Sequence, residues 1–243
     1  MVISPLLRQL ARTRRFTLGA PARFTVAPDG ARVLFLRSRA GDDPVGCLWS
    51  LDPASGAEHL LADPDVREIA HPHLARLNEA CGHTVHLAVF EEGEVLYIDK
   101  VESRYPVRMY SRIGKPVAIT VAAVAKLLLA DLPEPERRAL TDKLDYPMYT
   151  ARSTPHAEAF RKELAKVREQ GWATDLGGHE ESINCVAAPI RGADGRVVAA
   201  MSVSAPNVVV TADELLTLLP QVRRTADAIS GEYSGRTPIK EAP

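Results

Sequence analysis

The chain has 243 residues, a net charge of −1 and a hydrophobic content of 46%. It is long enough to bury a sizeable core, as one large domain or as a medium domain with a smaller one. The near-zero charge excludes a bulk attraction to nucleic acid. We interpret an early basic cluster as a solvated face: Arg8, Arg12, Arg14 and Arg15.

Residues 1–64 have the pattern of a β-meander. One helical stretch at 5–13 is followed by short strands, which turn residues separate. The strands are expected at 24–26, 31–37, 49–51 and 58–61. A meander of this size buries little apolar surface by itself, so we expect it to need a partner.

Residues 65–82 are predicted to be a linker helix, because apolar side chains recur there with helical periodicity. Gly82 is the expected end of this helix. The apolar stripe is formed by Val66, Ile69, Ala70, Leu74, Leu77, Ala80 and Cys81.

Residues 83–233 are predicted to form the larger domain, and 234–243 a flexible tail. Hairpins dominate the order of its elements, which indicates an antiparallel sheet flanked by helices, an α+β fold. The elements are strands at 84–90 and 94–100, helices at 119–130, 133–140 and 157–170, a strand at 172–176, a hairpin within 178–206 and a helix at 212–229.

The hairpin within 178–206 places small polar groups on one face. Side chains alternate along a strand, and the turn dipeptide Asp194-Gly195 predicts a pairing of Cys185 with Ser204. A four-residue loop would instead pair Cys185 with Ser202. Both registers leave this thiol and the two hydroxyls on the same face. The alternation is compatible with a polar pocket and equally with small side chains that fill a tight packing site.

Cysteine, histidine and apolar patterns exclude several other classes. Three widely spaced cysteines argue for reduced thiols, and the histidine spacings predict no metal site. The longest apolar run, 117–130, is interrupted by Lys126 and is too short to cross a bilayer. No signal peptide is recognisable before Thr17. We therefore expect a cytoplasmic protein.

Two segments of the first 64 residues resemble a β-propeller of the prolyl oligopeptidase family of dipeptidyl peptidases. They are FTVAPDGARVLFLRSRAGDDP at 24–44 and LWSLDPASGAEHLLADP at 48–64. Catalysis in that family requires a GxSxG motif in a hydrolase domain, and this chain has none. One blade cannot close a propeller, so we interpret this segment as a fragment joined to something else.

Residues 65–233 resemble the effector-binding domain of IclR-type bacterial transcriptional regulators. The resemblance implies a GAF-like or profilin-like fold that binds a small metabolite without a cofactor and assembles as dimers or tetramers. The segments that carry it are VHLAVFEEGEVLYIDKVES at 85–103, YSRIGK at 110–115, AKLLLADLP at 125–133, GWATD at 171–175 and GHEESINCVAAPIRGADGRVVAAMSVSAP at 178–206.

The resemblance also implies a ligand pocket. Its expected side chains are Asp175, Cys185, Ser202 and Ser204. Backbone amides are expected from the loop and helix at 114–125, which include Gly114 and Ala122. Such groups suit a small oxo- or hydroxy-acid, or an aromatic acid, bound without turnover.

This chain departs from the family pattern in the same region. The stretch 118–125 is more apolar than usual, and Ala125 stands where the family often has glycine. The additional methyl groups are expected to narrow the pocket or to favour a less polar effector. We interpret Lys126 as a helix-surface charge.

Three functional hypotheses follow. The first is a sensor derived from an IclR-type regulator, because residues 1–64 leave no room for the recognition helix of a helix-turn-helix. It would reach DNA only through a partner's helix-turn-helix, or survive as a fusion remnant. The second is an enzyme with Cys185 as nucleophile and His179 as base, which the mid-strand position of the thiol disfavours. The third is a peptidase-related protein without catalytic activity.

Overall fold

The computed structural model describes residues 21–26, 32–37, 47–62, 64–91, 93–106, 109 and 111–236. The chain divides into two compact units, Met1–Pro64 and Asp65–Pro243. The helix predicted at 5–13 and the basic cluster around it lie outside the described residues.

The smaller unit contains a four-stranded antiparallel sheet in the order β1-β2-β3-β4. The strands are β1 Ala22–Val26, β2 Val33–Arg37, β3 Cys47–Leu51 and β4 Glu58–Ala62. Each strand pairs with the next one along the chain, so the predicted β-meander is confirmed. The Arg37 guanidinium stacks over the Trp49 ring at 4.3 Å and pairs with Glu58 at 2.6 Å, which ties three strands together.

The larger unit contains a five-stranded antiparallel sheet in the order β6-β5-β9-β8-β7. Hairpins connect β5 to β6 and β8 to β9, as the sequence pattern predicts. The pairing of β5 with β9 joins segments more than a hundred residues apart. The strands are β5 Thr84–Glu91, β6 Glu94–Val101, β7 Ala173–Leu176, β8 Ile183–Arg191 and β9 Val197–Pro206.

Helices cover both faces of this sheet, which confirms the predicted α+β class. On one face, buried side chains of α2 and α4 pack on small residues of the strands, including Ala173, Ala187 and Ala200. On the other face, α1 bonds to β6 through His71 and Asp99, and α6 packs on β8 and β9. The helices are α1 Pro64–Cys81, α2 Ala123–Asp131, α3 Glu134–Lys143, α4 Ala157–Gln170, α5 Ala212–Leu216 and α6 Leu219–Arg236.

Two helix predictions were wrong in their bounds. The helix expected from residue 119 begins at Ala123, after turns at 119–121, and Ala122 provides no side-chain cap. The single helix expected at 212–229 is two helices, because Pro220 has no N–H and its ring clashes with the preceding turn. The second of them continues to Arg236, into the segment expected to be a flexible tail.

The β8-β9 hairpin has the first of the two predicted registers, with Cys185 opposite Ser204 and Ala187 opposite Ser202. Its turn is nevertheless different from the expected one. Gly195 adopts a left-handed conformation with φ of 78°, and its N–H donates to the Gly192 carbonyl at 2.9 Å, which makes a three-residue loop. A bulge next to Ile190 then restores the register.

None of the helices in the described ranges is both long enough and apolar enough to cross a membrane.

Candidate ligand-binding site

A cavity of about 350 Å³ lies over one face of the five-stranded sheet. Its floor is formed by side chains of all five strands, and its roof by residues 115–118 and the first turn of α2. The floor residues are His86, Tyr97, Asp175, Ile183, Cys185, Ser202 and Ser204. This volume is in the range that holds a small organic molecule.

Antiparallel pairing brings the polar floor residues together. Asp175 lies opposite Cys185 on the neighbouring strand, and Cys185 lies opposite Ser204. Ser202 lies two residues before Ser204 in β9, and its side chain therefore points to the same face. The four side chains expected to form the pocket thus line one cavity.

The two remaining expected residues contribute less than predicted. Gly114 is not among the described residues that line the cavity, and its N–H donates to the Tyr97 carbonyl at 2.8 Å. Ala122 does line the cavity, but its N–H donates to the Ala118 carbonyl at 3.0 Å. Neither amide is free for a ligand in this structure.

The free amides lie one residue later, at the start of α2. Ala123 and Val124 line the cavity, and their N–H groups have no acceptor among the described residues. The first N–H groups of a helix have no partner within the helix, and together with the helix dipole they favour an anion. The roof of the cavity therefore offers hydrogen-bond donors to a carboxylate.

Burial favours the protonated forms of three floor residues, Asp175, Cys185 and Tyr97. Burial raises the pKa of Asp175, although the Gly178 N–H donates to its Oδ1 at 2.7 Å and lowers it in part. Burial, followed by the nearby Asp175 carboxylate, raises the pKa of the Cys185 thiol to about 12. Burial likewise raises the pKa of Tyr97. The thiol is therefore present as a weak hydrogen-bonding group and not as a thiolate.

His86 is a cavity residue that the sequence did not identify. Its Nε2 lies 2.7 Å from Ser111 Oγ, its Nδ1 lies 3.4 Å from Ser204 Oγ, and its ring stacks on Tyr97. Burial, and then the Lys100 charge, lower its pKa from 6.5 to about 3, so the imidazole is neutral at physiological pH. The only available signal was its place as a polar residue in an otherwise apolar strand.

The mouth of the cavity carries an aromatic pair and a cation. The His179 ring meets Tyr149 edge-on at 4.8 Å, and Glu180 lies beside them. The exposed Lys115 also lines the cavity, and its ammonium has no acidic partner in the described part of the chain. Among the described residues, no hydrogen bond joins His179 to Cys185.

Lys126 is not the surface charge expected from the sequence. Its side chain is buried, its Nζ pairs with Glu163 at 2.6 Å, and it donates to the Thr174 carbonyl at 2.9 Å. It therefore ties α2 to α4 and β7, behind the cavity. No group of three or more potential metal ligands occurs among the residues that the structure describes.

The neutral His86 predicts a pH dependence of stability. Between pH 6.5 and about 3 the unfolded chain binds a proton on this imidazole that the folded chain does not bind. The free energy of unfolding should therefore fall as the pH falls through this window, by at most about 1.4 kcal/mol per pH unit from this group. Urea unfolding of the wild type and of His86→Phe between pH 4.5 and 7.5 measures the difference. Equal pH slopes in the two proteins would contradict it.

The raised pKa of Cys185 predicts slow alkylation. At pH 7.5 the folded protein should react with iodoacetamide at Cys185 at least about 100-fold more slowly than a free cysteine thiol. Mass spectrometry of the labelled peptides measures the rate, and the same protein in urea is the control. Labelling of folded protein at the rate seen in urea would show that the thiol is reactive.

An antiparallel sheet with helices on both faces, and a cavity with polar floor groups on one of them, defines a small-molecule-binding domain. Residues 58–231 match the family model described as bacterial transcriptional regulator IclR, C-terminal. The match covers most of the chain, so this chain belongs to the IclR family, and its larger unit is the effector-binding domain of that family.

Individual relatives agree with this assignment. The chain is 34% identical to the HTH-type transcriptional regulator XynR of Escherichia coli over 171 residues, which cover 70% of this chain and 68% of XynR. It is 31% identical to KdgR of the same organism over 172 residues, which cover 71% of this chain and 65% of KdgR. The match thus spans about two thirds of each relative.

A solved structure extends the likeness to the fold. The IclR protein of Thermotoga maritima superposes with a TM-score of 0.65 at 31% identity, over 70% of this chain and 68% of that one. These matches lend no support to the propeller resemblance of residues 1–64 or to a peptidase.

Proposed function

We propose that the larger unit senses a small organic acid, which binds in the cavity over the sheet and is not converted. The observation that carries this proposal is the pair of free N–H groups on Ala123 and Val124, opposite the hydroxyls of Ser202 and Ser204. Hydrogen-bond donors on two sides of one cavity suit a carboxylate.

The remaining groups orient the acid. Ser202 is 2% exposed, and its Oγ has no partner among the described residues, so a ligand oxygen would satisfy it. Asp175 accepts a hydrogen bond from a ligand hydroxyl, whereas a second ligand carboxylate beside it would be repelled. Lys115 at the mouth attracts the incoming anion.

The state of the thiol supports binding without turnover. A nucleophilic cysteine needs a lowered pKa and a base within hydrogen-bonding distance. Cys185 has a raised pKa and lies opposite Ser204, and His179 packs against Tyr149 instead. The positions of Cys185 and His179 therefore do not support the hypothesis of an enzyme with this nucleophile and base.

Calorimetric titration of the full chain tests acid binding. Pyruvate, lactate, benzoate and 4-hydroxybenzoate represent the oxo-, hydroxy- and aromatic acids, and glycerol and phenol are uncharged controls. We expect at least one acid to bind and both controls to give no heat of binding. An absence of binding by all four acids at millimolar concentration would contradict the proposal.

We further propose that this chain takes part in transcriptional regulation by pairing with intact relatives, assembles as a dimer or tetramer, and acts in the cytoplasm. In support, the regular elements described between residues 21 and 62 are all strands, whereas a helix-turn-helix needs helices. A fusion remnant of a regulator is the alternative.

A gel shift on a promoter fragment tests the DNA part of this proposal. The chain alone should not shift the fragment, with or without acid, and it should alter the shift made by an intact relative. A specific, acid-dependent shift by the chain alone would contradict the proposal.

Light scattering gives the number of copies, and a monomer at micromolar concentration would contradict assembly.

A further inference from the structure

His86 lies at the centre of the polar floor and connects the cavity to the loop that follows β6. It is 1% exposed, and it is paired across the sheet with Ser202. Its two nitrogens face two hydroxyls, Ser111 Oγ at 2.7 Å and Ser204 Oγ at 3.4 Å. Both hydroxyls and the imidazole line the same cavity. The three side chains form an uncharged polar wall, Ser111-His86-Ser204.

The hydrogen bonds along this wall can run in either direction. A neutral imidazole has one N–H and one lone pair, and a hydroxyl both donates and accepts. When Nε2 carries the proton it donates to Ser111, Nδ1 accepts from Ser204, and the Ser204 oxygen is left to accept from a ligand. When Nδ1 carries the proton it donates to Ser204, whose own hydroxyl then donates to a ligand. The tautomer of His86 thus decides whether the wall meets a ligand hydroxyl or a ligand carbonyl.

The charges around the wall exclude a second anionic group at this end. The Lys100 ammonium donates a hydrogen bond to the Ser111 carbonyl at 2.8 Å and forms an ion pair with Glu102 at 2.9 Å. Lys100 does not line the cavity. Asp175 and Glu180 line the adjacent wall. Among the lining residues that the structure describes, Lys115 at the mouth is the one permanent cation. One ligand carboxylate can therefore accept hydrogen bonds at α2 and be attracted by the cation at the mouth. A second carboxylate beside His86 would have neither N–H donors of a helix nor a cation near it.

We propose that His86 is a specificity-determining residue of the cavity: through its two neutral tautomers it admits acids whose second polar group is a hydroxyl or a carbonyl, and it disfavours dicarboxylates. This inference rests on acid binding in the cavity. It narrows the expected ligands to monocarboxylates and assigns a role to a residue outside the six expected from the sequence.

Calorimetry with two matched series of acids tests the inference on the full chain. The three-carbon series is propionate, lactate, pyruvate and malonate, and the aromatic series is benzoate, 4-hydroxybenzoate and terephthalate. In the wild type, the hydroxy- and oxo-acids should bind about tenfold tighter than both the parent acid and the dicarboxylate of the same series. In His86→Phe, which keeps the ring on Tyr97, this preference should shrink below threefold while the parent acid keeps its affinity within twofold.

Ser111→Ala keeps the imidazole but removes its Nε2 partner, and it gives a second measurement if His86→Phe does not fold. It should lower the same preference by about threefold and leave the parent acids unchanged. A loss that is equal for every acid in the two variants would mean that His86 is only structural, and would overturn the inference while acid binding stands. Binding of neither series to the wild type would contradict acid binding and the inference together.

Discussion

Replacement of Ser202 and Ser204 together by alanine should weaken binding of the acid about 100-fold or more. Both hydroxyls are buried on the cavity floor, and Ser202 Oγ is without a partner among the described residues until a ligand supplies one. The variant loses one hydrogen bond to the carboxylate at Ser202, about 1.5–3 kcal/mol, and one to the uncharged second polar group at Ser204, about 0.5–1.5 kcal/mol. Together these correspond to about two orders of magnitude in the dissociation constant. Isothermal titration calorimetry with the tightest-binding acid measures the change.

The control for this double variant is Ser182→Ala, which removes an exposed serine hydroxyl from just outside the cavity. Its affinity should stay within twofold of the wild type, and urea unfolding should show that the double variant is folded. An unchanged affinity in a folded double variant would mean that these serines only fill space, which is the alternative that strand alternation leaves open.

Replacement of Phe160 by alanine should lower the free energy of unfolding of the larger unit by about 3–5 kcal/mol. Phe160 is fully buried in α4, meets Tyr146 edge-on and packs in the cluster between the helices and the sheet. Removal of the ring leaves a void that the rigid sheet cannot fill. Urea unfolding followed by circular dichroism at 222 nm measures the change, since all described helices lie within 64–236.

Met148→Ala is the matched control, because it truncates a large apolar side chain that is 55% exposed. Its free energy of unfolding should change by no more than about 0.5 kcal/mol. If Phe160→Ala were as mild as this control, the cluster behind the cavity would not be the main source of stability of the unit.

Much of the fold could be predicted because its strongest signals are local. The helix at 157–170 has a clear apolar stripe and ends at Gly171, whose φ of 74° needs glycine, and the structure agrees at both ends. The start of α2 could not be found in the same way. Its cap is Ala122, which has no side-chain acceptor to mark the first turn, and the preceding residues are as apolar as the helix itself.

Part of the candidate site could be predicted from local sequence patterns, and part depends on contacts between distant segments. Alternation within one hairpin placed Cys185, Ser202 and Ser204 on a common face in either register. His86 could not be added, because its pairing with Ser202 joins strands that are distant in the chain and carry no mutual register signal. The free amides of Ala123 and Val124 lie within the expected stretch 114–125, but the two positions singled out there, Gly114 and Ala122, have N–H groups that are bonded within the chain. Sequence patterns therefore describe single hairpins better than the contacts between them.

The bulge in the β8-β9 hairpin has an evolutionary consequence. The loop at 193–195 lies at the end of the two strands remote from Cys185 and Ser204, six residues or about 20 Å along β8. The bulge next to Ile190 takes up the extra residue of the three-residue loop, so gain or loss of a bulge at this point keeps the ladder beyond it in register when the loop changes by one residue. Insertions and deletions at the tip can therefore accumulate among descendants of this chain without turning the cavity-facing side chains to the opposite side.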